Sequence, residues 1–177
     1  MDDYVMGLLA GLAFGVLIVA IVKLRMRKVA RTPGEQADYL GRRRARMLPV
    51  LALLFLSQQA SFFAQFGSGD HAPAETVKIA AWLVLSIVLI ATLATRGFWL
   101  EPAEIRALID DENTRANRLD AMRWGFLFAM AAAILVYVVT LFDTVTGREA
   151  VHLVMSFGIA AAILRWGALE RRAYRDA

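Results

Sequence analysis

The chain has 177 residues, of which 59% are hydrophobic and 20% charged, and it carries a formal net charge of +4. Soluble globular proteins are less apolar, with about 45–50% hydrophobic and about 25% charged residues, so the composition argues against an ordinary soluble domain. The sequence has no cysteine, which excludes disulfides, thiolate metal ligands and thiol nucleophiles.

Five apolar blocks follow one another along the chain, and each approaches the length of roughly 20 residues that a helix needs to cross a bilayer. They cover residues 4–22, 47–66, 77–95, 124–142 and 150–169. In lipid each block must be helical, because an open strand would leave backbone groups unpaired. The acidic start of the chain and the length of the first block favour a retained span over a signal peptide. The sequence therefore predicts an all-α fold, a single polytopic membrane domain over residues 1–177 with five transmembrane helices.

The distribution of Lys and Arg predicts the orientation of these helices. Residues 23–46 carry nine of them, residues 96–123 carry five and residues 165–177 carry four, whereas only Lys78 and Arg148 fall elsewhere. Short loops rich in Lys and Arg stay on the cytoplasmic side. We therefore expect the N-terminus outside, the C-terminus inside, and cytoplasmic segments at 23–46, 96–123 and 170–177. Abundant Arg and Ala are associated with GC-rich bacterial genomes, which favours the inner membrane of a bacterium.

The first block contains a glycine motif, Gly7, Gly11 and Gly15, in which small residues recur every fourth position. Such a face lets two helix backbones approach closely and drives packing in lipid. The partner is either another span of the same chain or, in a functional interpretation, a second copy or a larger membrane complex.

Polar residues gather in the predicted outer half of the second, fourth and fifth spans. If their faces converge, they form an outward-facing polar pocket for a small solute or a lipid; the alternative is that they form hydrogen bonds between helices. His71 and His152, the only histidines, make a weak case for a metal, so no metal and no cofactor are predicted. The candidate pocket residues are Gln58, Ser61, Gln65, Tyr137, His152 and Ser156.

Four arginines adjoin the second span: Arg42, Arg43, Arg44 and Arg46. Their position next to an apolar block predicts contact with anionic lipid, at about 1 kcal/mol for each basic residue near the surface. Nucleic-acid binding is not predicted, because no soluble surface with groove-reading or aromatic elements accompanies the arginines.

The segment between the third and fourth spans predicts an amphipathic cytoplasmic helix. Pro102 suits a first helical position, Ile105 and Leu108 recur at helical spacing, and an interruption is expected near Asp110. The acidic run Asp110, Asp111 and Glu112 fits a helix N-terminus; holding a divalent cation for lipid-headgroup chemistry is the alternative.

No enzyme signature such as GxSxG, HExxH or a P-loop is found, and no charged residue falls in the middle of a span. The sequence therefore predicts a small non-enzymatic inner-membrane protein, an accessory or scaffold subunit that packs against itself or a larger membrane complex. The alternative is a binding or transport protein that uses the polar pocket.

Overall fold

The computed structural model describes residues 32–63, 73–95 and 102–175, with the side chains of 61–63 and 73–78 excepted. These residues form five helices and no strand. The all-α fold is therefore confirmed for this part of the chain, whereas the first predicted span lies outside it. The helices are α1 (Pro33–Phe63), α2 (Pro73–Thr95), α3 (Ala103–Ile109), α4 (Glu112–Thr140) and α5 (Gly147–Ala173).

Helix α5 lies at the centre of the bundle, where it packs against α4, α1 and α2. Its inward residues, among them Ile163 and Trp166, are fully buried beside Phe55 of α1 and Leu89 of α2. A capping box fixes the start of α5: Thr146 accepts from the Glu149 backbone N–H, and the Glu149 carboxylate accepts from that of Thr146.

The crossing of α4 and α5 is built on small residues. A Cβ added to Gly125 would lie 2.8 Å from the Cβ of Ala162 and 2.9 Å from the carbonyl oxygen of Gly158. A Cβ on Gly158 would in turn lie 3.0 Å from the Cβ of Ala129. The two helices are antiparallel and so close that only small residues fit between them, which is how small-xxx-small motifs stabilise packing in membranes.

Helices α1 and α5 are also antiparallel, and a proline shapes their contact. Pro49 lies inside α1 and has no N–H, so the carbonyl of Ala45 loses its usual helical partner. Arg171 of α5 donates from Nε to that carbonyl oxygen at 3.1 Å. The Pro49 ring packs on Gly167, where an added Cβ would lie 2.8 Å from Cδ of the proline. Helix α5 thus supplies a hydrogen-bond donor to the backbone carbonyl that Pro49 leaves without a partner in α1.

The predicted cytoplasmic helix is present as α3, and the chain breaks at Asp110 and Asp111 before α4 begins, as expected. Ile105 and Ile109 are buried against Ala37 and Leu40 of α1. Leu108, predicted to lie on the same apolar face, is 51% exposed instead. Ile105 and Ile109 are four positions apart and share the face toward α1, whereas Leu108 lies about 100° around the helix from Ile109.

Two of the described helices, α4 and α5, are long and apolar enough to cross a membrane. Only 11% of the apolar window of α4 is buried, against 50% for α5. The described apolar stretch of α2, Ile79–Thr95, is shorter. Large apolar side chains such as Phe126, Ile134 and Leu135 are more than half exposed on α4, which is compatible with membrane association because soluble monomers rarely expose such a face.

Candidate functional site

The described helices enclose two groups of buried polar side chains, one near each end of the α1–α5 contact. The first, the Arg44 cluster, comprises Arg44 of α1, Thr114 of α4, and Trp166 and Glu170 of α5. Arg44 Nη2 donates to Glu170 Oε2 at 2.6 Å and to Thr114 Oγ1 at 3.2 Å. Arg44 is 8% exposed and Glu170 is 1% exposed, so this is a buried ion pair that joins three helices.

The sequence positions each member of the Arg44 cluster locally. Asp111 is the N-cap of α4 and accepts from the backbone N–H of Thr114 at 2.7 Å, which places the threonine hydroxyl beside Arg44. Trp166 lies one turn before Glu170, and its Nε1–H donates to Glu170 Oε1 at 3.2 Å. The Arg44 guanidinium lies 5.2 Å from the centroid of the Trp166 ring, within cation–π range.

Tyr174 continues the same face of the chain one turn beyond Glu170 and lies against Gly41 of α1. A Cβ on Gly41 would come within 1.8 Å of the Tyr174 hydroxyl oxygen, so the contact requires glycine unless the ring moves. Burial raises the pKa of Tyr174, while the positive charge of Arg44 opposes the shift and Glu170 adds to it. The tyrosine is therefore coupled electrostatically to the Arg44 cluster.

The second group, the His152 cluster, comprises Gln59 of α1, Trp82 of α2, and His152 and Ser156 of α5. The imidazole Nε2 of His152 forms a hydrogen bond with Gln59 Oε1. The Trp82 indole stacks on the imidazole with centroids 4.0 Å apart and donates from Nε1 to Ser156 Oγ at 3.3 Å. Ser156 donates to the backbone carbonyl of His152 at 2.6 Å. The cluster joins α1, α2 and α5 through neutral groups.

Two buried polar atoms near this interface have no hydrogen-bond partner among the described residues. They are Nε2 of Gln59, a residue that is 5% exposed, and Oγ of Ser86, which is fully buried one turn along α2 from Trp82. Most buried polar atoms in folded proteins have a partner. The Gln59 carboxamide cannot turn freely to find a partner for Nε2, because its Oε1 is hydrogen-bonded to His152.

The structure brings together two of the six predicted pocket residues, His152 and Ser156. Tyr137 is 68% exposed and faces away from the bundle, so its assignment to the pocket is wrong. Gln58 is only partly buried, and Gln59 points inward instead. The side chains of Ser61 and Gln65 lie outside the described residues. Gln59 follows Phe55 by four residues on the same helix face, and the structure shows that this face is the buried one.

The assignment of Arg44 to anionic lipid is also wrong, since its guanidinium is buried against Glu170. Arg44 lies four residues after Leu40 and four before Leu48, both buried, so it shares their inward face. Arg42 and Arg46 are exposed and Arg43 is half-buried; lipid contact stays a prediction for these three. None of Thr114, Trp166 and Glu170 was predicted as a site residue, although the i, i+4 spacing of Trp166 and Glu170 was a usable signal.

The acidic run before α4 provides a helix cap through Asp111. Across the residues that the structure describes, no three His, Asp or Glu side chains are close enough to hold a metal ion. The glycine motif Gly7, Gly11 and Gly15 falls outside those residues, so its packing stays a prediction. Comparison with protein-family models, with curated proteins and with solved structures finds no match.

Proposed function

We propose that this chain is a five-span protein of the bacterial inner membrane, with its N-terminus outside and its C-terminus inside. In this proposal it serves as an accessory or scaffold subunit that packs against itself or a larger membrane complex. The lipid bilayer, including anionic lipid at the arginines, is its other partner. It carries out no chemistry of its own.

The topology is supported by which helix ends lie together. The antiparallel contact of α1 and α5 puts the arginine-rich start of α1 beside the end of α5, where Arg171 reaches the α1 backbone. Thr114, at the start of α4, contacts Arg44 at the same end of the bundle. Basic residues therefore accumulate at one end of three helices, as the positive-inside rule requires of a cytoplasmic face.

The observation that carries the proposed role is the contrast between α5 and α4. Helix α5 is half buried and holds the bundle together, whereas α4 turns nearly all of its apolar window outward. The two charged side chains of the Arg44 cluster pair with each other between helices, which supports a structural role for them. The exposed apolar face of α4 is therefore a suitable contact surface for another transmembrane helix.

Cysteine crosslinking tests this role cleanly, because the wild-type chain has no cysteine. Ile134→Cys places a thiol on the outward face of α4, where Ile134 is 66% exposed, and Ile163→Cys places the control thiol at a fully buried position of α5. Oxidation in native membranes should join Ile134→Cys by a disulfide to a second copy, or to a partner that has its own cysteine at the contact, and should give no disulfide with Ile163→Cys.

The crosslinking result is read together with the assembly state. Native mass analysis in mild detergent should show a partner or a second copy bound to the wild type, and the predicted packing through the glycine motif should make that binding weaker in Gly11→Leu. A protein that stays monomeric, with no crosslink at Ile134 or at the neighbouring outward position Leu135, would contradict the scaffold proposal.

A further inference from the structure

We propose that the His152 cluster binds a neutral ligand through a single oxygen atom, which accepts a hydrogen bond from Nε2 of Gln59. The oxygen belongs either to a buried water molecule or to a carbonyl group of a compound dissolved in the membrane, such as a quinone. The inference does not depend on the assembly role proposed above.

The argument begins with the way the Gln59 carboxamide is held. Its Oε1 is fixed by the hydrogen bond to His152, and His152 is itself fixed by the stacked Trp82 ring. The Nε2 end of the same planar group must then point away from the imidazole. It is buried and has no acceptor among the described residues. A buried amide donor of this kind requires an acceptor that the described side chains do not supply.

The surroundings determine the chemical class of that acceptor. The four members of the cluster carry no formal charge apart from the titratable imidazole, and Phe55 and Ile159 of the apolar core lie on the same helix faces as Gln59 and Ser156. An anionic ligand would lack a counter-charge in this environment, which is costly in an apolar interior. A neutral oxygen meets the requirement without introducing a charge.

The second orphan atom, the Ser86 hydroxyl, is a weaker candidate for the same role. It offers one donor, whereas Nε2 of Gln59 carries two N–H donors and belongs to a side chain that is already oriented by His152. A bound water needs two to four polar partners. The Gln59 end of the interface therefore fits an occupant better than the Ser86 position does.

The first arm of the test detects water. Radiolytic hydroxyl labelling of the detergent-solubilised protein in H₂¹⁸O modifies buried side chains that lie next to a bound water. Trp82 is 6% exposed and Trp166 is fully buried, so both are shielded from bulk solvent, and a bound water beside Gln59 should make the labelling of Trp82 clearly exceed that of Trp166. In Gln59→Leu the labelling of Trp82 should fall about tenfold, the equivalent of one lost hydrogen bond. The matched control Gln58→Leu should leave it unchanged.

The second arm detects a carbonyl ligand by titrating the same proteins with a short-chain benzoquinone. Saturable binding that weakens about tenfold in Gln59→Leu, but not in Gln58→Leu, would assign the site to a carbonyl compound. Wild-type protein with no quinone binding and with Trp82 labelled no more than Trp166 would overturn the proposal. The comparison of Trp82 with Trp166 uses wild-type protein alone, so it remains decisive if Gln59→Leu does not fold.

Discussion

Removing the carboxylate of Glu170 should destabilise the bundle strongly. In Glu170→Leu the Arg44 guanidinium stays inside the protein without its counter-ion, because the two side chains are 7% and 2% exposed in the native pair. Breaking one partner out of a buried ion pair costs about 3–5 kcal/mol. The lost acceptor of the Trp166 N–H adds about 1 kcal/mol. We expect a fall of about 4–6 kcal/mol in the free energy of unfolding.

The assay is reversible unfolding in mixed micelles with an increasing fraction of SDS, followed by tryptophan fluorescence. Asp120→Leu is the matched control, because Asp120 pairs with Arg165 at 2.7 Å but both side chains are 36% exposed. An exposed pair of this kind contributes at most about 1 kcal/mol. The two variants should therefore differ several-fold in their effect on unfolding.

A double variant tests the reason for the loss. Arg44→Met combined with Glu170→Leu removes both charges, and replacing a whole buried pair by apolar residues is often neutral or stabilising by about 1–4 kcal/mol. The double variant should recover most of the stability lost in Glu170→Leu. If Glu170→Leu costs no more than Asp120→Leu, or if the double variant is as unstable as the single one, the interpretation of Arg44 as a buried, compensated charge is refuted.

Further predictions concern the helix crossing, the tyrosine, the orphan hydroxyl and the topology. Gly125→Ala should lower stability by about 1–2 kcal/mol, because the new Cβ overpacks the α4–α5 crossing by more than it gains in helix propensity; Gly147→Ala, which meets nothing within 4 Å, should not. Because the folded-state pKa of Tyr174 is raised, the contribution of Tyr174 to the free energy of unfolding is fully present below the unfolded pKa of 10.0. This contribution is lost as pH rises through the folded-state pKa. The alkaline loss of stability should therefore be smaller in Tyr174→Phe, and identical pH profiles would contradict this. Ser86→Ala removes a buried hydroxyl with no partner in the described part of the chain, so thermal stability should stay equal or rise; a clear fall would reveal a partner. A reporter fused after Ala177 should be active only on the cytoplasmic side, and periplasmic activity would refute the proposed topology.

The apolar helices and the break before α4 could be predicted from the sequence, because apolar length, Pro102 and the acidic cap at Asp111 are local signals. The start of α1 at Pro33, well before the predicted apolar block 47–66, was not predicted. It was harder to predict which polar side chains point into the bundle. Gln58 and Gln59 are neighbours of identical chemistry, and only the register of α1 against α5 decides which one meets His152. That register depends on Pro49 packing on Gly167, a contact between residues far apart in sequence.

Arg44 shows the same limit in a different way. In a run of arginines beside an apolar block, contact with anionic lipid accounts for the position of every arginine equally well. The sequence does not show which arginine has a carboxylate opposite it on a neighbouring helix. The distinguishing residue, Glu170, lies 126 positions away on the chain. The close contact of α4 and α5 was equally hidden, because Gly125 and Gly158 become a motif only once the two helices are paired.

The contacts of α5 also bear on how the chain is assembled during synthesis. In the proposed topology α1 reaches the membrane before α5, yet three polar groups of α1 find their partners on α5: the guanidinium of Arg44, the carbonyl of Ala45 that Pro49 leaves open, and the amide of Gln59. Until α5 is inserted, those groups must be hydrated or held by the insertion machinery. Under the same proposal, insertion of α5 is the step that commits the nascent bundle to its native state, and a chain truncated before Gly147 should be a substrate for membrane proteolysis.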